Sequence, residues 1–100
     1  RERIWRRTPR RFDNDTLTSV VSRSTTIACE CPKHLAELVL QIAAFERYSD
    51  ECESRSPADA LLHRHLGDAA NKAVAMFEAA LAAVAEHEGW PIPATTPGDR

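Results

Sequence analysis

The chain has 100 residues, a net charge of −2 and three cysteines. That length allows one domain with a modest core, the odd cysteine count excludes a complete set of intrachain disulfides, and no apolar run approaches the length of a membrane span. Scarce glycine and a second half rich in Ala, Leu and Glu favour helix over strand, so the fold class expected is all-α.

Charge is unevenly placed. Residues 1–11 hold six arginines (Arg1, Arg3, Arg6, Arg7, Arg10, Arg11) against the single acid Glu2, so a basic arm precedes an acidic body. The plain expectation for such an arm is a flexible linker or tail. Two other readings are phosphate contact with nucleic acid, with Trp5 stacking on a base, and docking of Trp5 on the body or on a partner. The chain opens on Arg1 rather than Met, as a piece of something longer would. A reducing cytoplasm is the expected setting for its unpaired thiols.

A short helix is expected next, ending near residues 22–24. Asp13 is a good N-cap, and Phe12 and Leu17 have the spacing of a hydrophobic staple. Leu17, Val20 and Val21 form its small apolar face. The link IACEC then leads to a long helix over about 32–53, with Cys31 as N-cap and Pro32 at the first helical position. A thiol at that point lies against the positive helix end, which lowers its pKa.

Along this helix Leu35, Leu38 or Val39, Ile42, Phe45, Ser49 and Cys52 alternate steps of three and four, the pattern of a packing seam. A second stripe, Leu40, Ala44 and Tyr48, occupies another face, so the helix needs more than one neighbour. Ser56, Pro57 and Asp59 then make a variant capping box that starts a second long helix, over about 57–88, stopped by Gly89 and Pro91. Its expected face is Leu62, Leu66, Ala69, Ala73, Met76 or Phe77, Ala80 and Val84, widened by Leu61, His65, Val74 and Leu81. Gly67 is its weak point, costing about 1 kcal/mol relative to Ala.

A connection of a few residues makes the long helices an antiparallel hairpin, crossed by the short N-terminal helix. The domain reading is therefore an arm or linker over 1–11, a helical domain over 12–89 and a Pro-rich tail over 90–100, with Trp90 able to pack on the hairpin end. The second long helix outruns the first, and the overhang, expected at about 79–88, needs cover. The short helix would supply some of it and a second copy the rest, making a homodimer and a four-helix bundle. Leu40, Tyr48, Leu81 and Val84 are the interface candidates.

Cys29, Cys31 and His34 are the only compact set of metal-capable side chains, and zinc or another transition metal would suit sulfur and imidazole. Their spacing is not that of a zinc knuckle, and Cys52 lies roughly 30 Å along the helix from Cys31. Buried cysteines without a cofactor are the simpler reading. His63 and His65, two apart on a helix, face different ways, with His65 toward the apolar side. Glu37 and Glu46 fall on a solvated face. No phosphate loop, nucleophile elbow or metalloprotease motif is present, so no catalytic site is expected.

The stretch 8–81 resembles a helical segment found downstream of the winged-helix DNA-binding domain in some bacterial MerR-type transcription regulators. The residues that carry this are Arg10-Arg11-Phe12, then Leu17, then CECPKHLAELVLQIAAFERYSDECESRSPADALLHRHLG. This sequence holds neither the winged helix nor the metal-binding loop of the metal-responsive members. The resemblance implies a cytoplasmic, dimeric protein in which these helices dimerise or regulate. Function is thus read as a non-enzymatic self-association and regulatory module, with a thiol- or metal-sensing domain using Cys29, Cys31 and His34 as the alternative.

Overall fold

The structure is a computed structural model that describes residues 6–23, 29–89 and 92–93. Among these there are three helices and no strand: α1 (Asn14–Arg23), α2 (Cys31–Glu51) and α3 (Pro57–His87). Trp5, Trp90, the 1–5 end of the arm and the 94–100 end of the tail lie outside the described residues.

Local signals place the helix ends. The Asp13 carboxylate accepts from the Thr16 N–H at 2.9 Å, and the staple pair Phe12 and Leu17 is fully buried. Ser56 caps α3 by accepting from the Asp59 N–H at 3.1 Å. Asp59 reaches back to the Arg55 N–H at 3.2 Å, one residue earlier than in the usual box. Gly89, with φ of 75°, takes the left-handed position that ends α3. One end differs from expectation: α2 begins at Cys31 itself, with Glu30 as N-cap and Pro32 second in the helix.

The long helices pack antiparallel, and α1 lies on α2. The Asp50 carboxylate stands beside Gly67, and Glu88 is close enough to Cys31 for its charge to act on that thiol. This register places the end of α2 opposite Gly67. The overhang is consequently the first three turns of α3, over 57–66, rather than 79–88. Those ten residues project roughly 15 Å past α2. The five-residue connection over 52–56 is long enough, when extended, to climb that distance, and Cys52 is extended with ψ of 133°. Ser54 meets His63 on the way, Oγ to Nδ1 at 3.1 Å.

The core only partly overlaps the predicted seam: Val39, Val74 and Leu81 are buried as expected, and the rest of the seam is not. Phe12, Leu17, Val20, Ala36, Val39, Val74 and Leu81 form the buried cluster. Leu38, Phe45 and Leu62, expected inside, are 40–51% exposed, while Leu35, Ile42 and Phe77 are half-buried at the margin. The reason is size and company. Small side chains are buried on both helices, Ala36 and Val39 on α2 and Ala70 and Val74 on α3, and small residues let helices approach closely. The groove beside them must also hold Phe12, delivered by the arm. Of the four interface candidates, Leu81 is fully buried and Leu40 packs on the core cluster. Val84 is half-buried, and Tyr48 is exposed.

Among the described residues Phe12 is the largest fully buried side chain. Phe12→Ala is expected to cost about 3 kcal/mol. Leu38→Ala, at the head of the predicted seam, is expected to cost the monomer less than about 1 kcal/mol. Urea unfolding at low protein concentration measures both, and the reverse ranking would restore the seam as the core.

Candidate functional site

The basic arm is part of the folded body from Arg7 onward. Its guanidinium is shared by three carboxylates from two helices. Arg7 Nε donates to Asp68 at 2.7 Å, Nη1 to Glu46 at 3.0 Å and to Asp50 at 2.9 Å, and Nη2 to the other Asp50 oxygen at 3.0 Å. The hydrogen bond to Asp50 raises the Arg7 pKa further above its ordinary range. The same bond holds the Asp50 carboxyl below its own. Glu46, expected on a solvated face, is therefore mostly covered, at 17% exposure.

The arm then runs as an extended strap along the α2–α3 groove. The Asn71 side chain grips the Thr8 backbone on both sides, accepting from its N–H at 2.8 Å and donating to its carbonyl at 2.9 Å. One Glu78 carboxylate oxygen accepts from the N–H groups of Arg11 at 2.8 Å and Phe12 at 3.1 Å. Arg10 Nε lies 3.8 Å from the same oxygen. Asn71 and Glu78 are buried polar residues that a hydrophobic-periodicity reading passes over. Their signal is spacing: positions 68, 71 and 78 fall on one side of α3, one polar group for each successive piece of the strap. With Arg7 and Arg10 tied inward, a nucleic-acid contact through the arm would rest on Arg6, Arg11 and the residues before them.

Gly67 takes its meaning from this clamp. A Cβ there would stand 2.5 Å from Arg7 Nη2 and 2.7 Å from Asp50 Oδ1. The position thus trades helix propensity for a close approach of the ion pair over the helix.

On the side away from the strap the hairpin is apolar and open. Helical geometry aligns Leu38 and Phe45 of α2 with Leu62, Ala69, Ala73 and Ala80 of α3. No charged residue interrupts the steps 35, 38, 42, 45 on α2 or 62, 66, 69, 73, 77, 80, 84 on α3. Tyr48 and Met76, 65% and 72% exposed, flank the stripe, and the Phe45 and Tyr48 rings stack at 6.4 Å between centroids.

The proposed metal ligands are arranged otherwise. Cys29 and Cys31 are free thiols in contact, with the Cys31 N–H donating to Cys29 Sγ at 3.4 Å. His34 instead stands 3.6 Å from Glu30 and 3.8 Å from Glu37. Among the described residues no three such side chains converge as a metal site would require. The Cys31 thiol is not acidified by the helix. Its hydrogen bond with the Cys29 side chain, then the Cys29 charge, pushes its pKa up. Cys52 is half-buried rather than in the core, and it is His63, not His65, that is partly covered. No helix among the described residues is long and apolar enough to cross a membrane. Family models, curated proteins and solved structures contain no match to this chain.

Arg7→Ala leaves three carboxylates clustered without a cation and is expected to cost about 2 kcal/mol at neutral pH. Asp50 is nearly half exposed and adds little of that. Its depressed pKa contributes stability that is complete above an unfolded value of about 4 and is lost as pH falls through the lower folded value. The small part of the Arg7→Ala deficit that Asp50 carries should therefore shrink as pH falls below about 4, as denaturant unfolding at several pH values would measure. Gly67→Ala alone should be nearly neutral, because about 1 kcal/mol of helix propensity is offset by the displaced clamp. Made in the Arg7→Ala background, it should stabilise by about that 1 kcal/mol. A double-mutant cycle without this coupling would show that the clamp does not depend on the missing Cβ.

Proposed function

We propose that this chain is a non-enzymatic helical module that self-associates through the open α2–α3 face, as the C-terminal, dimerising and regulatory part of a transcription regulator. The observation that carries the self-association is the uncharged stripe itself. A contiguous exposed apolar face of this size marks an interaction surface, and alternating steps of three and four let two copies interdigitate as in a helical bundle.

A second copy is the occupant that best fits. The 21 residues of α2 rise about 31 Å. Over a face two helices wide, about 20 Å, that gives roughly 600 Å² per copy. The total of about 1,200 Å² reaches the lower bound for specific, stable association. The projecting turns of α3 add Leu62 to this face, 51% exposed among the described residues. The non-enzymatic part of the reading is supported by where the acids are used: Glu46, Asp50, Asp68 and Glu78 all bind the strap. The link to transcription rests on the resemblance to the helices that follow a winged helix in MerR-type regulators.

Sedimentation equilibrium of the wild-type chain is expected to show a dimer in the micromolar range. Phe45→Glu and Leu62→Glu should each weaken association by about 2 kcal/mol or more, roughly thirtyfold in Kd. Helix content should be unchanged, because both side chains are already half exposed. A wild-type monomer across that range removes the proposal.

A further inference from the structure

The two thiols ahead of α2 are brought together by the backbone between them. Glu30 has φ of −91° and ψ of 11°, a turn-like conformation. A residue with those angles holds its flanking Cα atoms about 5.5 Å apart, as along a helix. That separation is inside the window of about 4.4–6.8 Å that a disulfide spans. The Cys31 N–H donates to Cys29 Sγ at 3.4 Å, so the Cys29 side chain is already folded back over the start of the helix. Both thiols are reduced. Cys31 is exposed and Cys29 half-buried. Neither belongs to the core cluster, and no side chain of the N-cap residue holds this helix start in place. His34 stands near Glu30 and Glu37 instead, and among the described residues no third side chain converges with the two sulfurs as a metal site would require.

We propose that Cys29 and Cys31 are a reversible dithiol–disulfide pair whose oxidant is a low-molecular-weight disulfide. The thiolate of one cysteine attacks a sulfur of the oxidant R–S–S–R. A protein–S–S–R bond forms, and RS⁻ leaves and takes up a proton. The second cysteine then loses its proton and attacks the protein sulfur of that mixed disulfide, expelling the other RS⁻. The two protein thiols give up two electrons and two protons, and the oxidant becomes two RSH. The first step is slow below neutral pH, because the contact that joins the sulfurs also keeps the Cys31 proton on. Ring closure is the fast step, since the resolving sulfur is two residues away and already turned toward its partner.

The test uses the full chain with Cys52→Ser, so that the pair is the sole source of thiols, beside the wild type. Both are equilibrated with mixtures of reduced and oxidised glutathione, acid-quenched, alkylated and analysed by mass. The expected product is a chain lighter by two hydrogens, with the bridge in the peptide that contains both cysteines, at least tenfold more abundant than the doubly glutathionylated chain. Cys29→Ser,Cys52→Ser and Cys31→Ser,Cys52→Ser should each stop at one glutathione adduct. Two adducts on one chain, a disulfide between chains, or thiols that stay alkylatable where free cysteine is oxidised would each overturn the proposal. Far-UV circular dichroism checks that Cys52→Ser folds, and the wild type supplies the same peptide readout if it does not.

Discussion

Three carboxylates on two helices converge on one guanidinium, and the rest of the structure is arranged so that they can. Glu46 and Asp50 project from α2 and Asp68 from α3. Brought this close without a cation they would repel, and the register that pairs the end of α2 with Gly67 would be opposed by its own side chains. Arg7 converts that repulsion into a tie between the helices. A single Arg can do this because its planar fork presents five donors at once. The absence of a side chain at position 67 is part of the same arrangement, since the guanidinium occupies the space beside that backbone. Farther along, Asn71 and Glu78 hold the strap by its backbone, so that Phe12 arrives at the one place where an aromatic ring completes the core.

The hairpin therefore has two unlike sides. On one, buried polar groups are matched nearly one for one by the strap, an arrangement that tolerates little substitution because each partner removed orphans the other. On the other, an uncharged surface carries the side chains with the strongest seam-like spacing. Reading that spacing as the internal core is natural, because three- and four-residue steps say that a face is buried against something without saying what. Here Ala36, Val39, Ala70 and Val74 are among the buried residues of the two helices. The larger Leu38, Phe45 and Leu62 are left facing out.

What was legible in the sequence was local chemistry. The Asp13 and Ser56 caps, the Phe12–Leu17 staple, the Gly89 stop and the antiparallel hairpin all depend on residues a few positions apart, and each is present. What was not legible depends on residues far apart. Seeing Asn71 as a core residue requires knowing that Thr8 lies against it, 63 positions away. Treating Gly67 as a helix weakness follows from propensity alone, until Arg7 is placed over it. Helix lengths carry no register, so they do not say which end of α3 overhangs; that comes from Asp50 meeting Gly67. The thiol at the start of α2 was expected to be acidified by the helix, but its nearest influence is another thiol two residues earlier.

The strap's bonds join residues 39 to 67 positions apart, whereas the hairpin closes through a five-residue turn. Chain-closure entropy rises with loop length, so the two parts of the molecule should assemble in sequence. The hairpin zips first from its turn, and the strap docks last onto a groove already formed. In reverse, the strap is the first element to leave. Its departure would uncover Asn71, Glu78 and the Phe12 site while α2 and α3 remain paired. The native basin is thus bordered by a partly open state of low free energy, distinguished by exchange of the Thr8, Arg11 and Phe12 amides ahead of those in the helices.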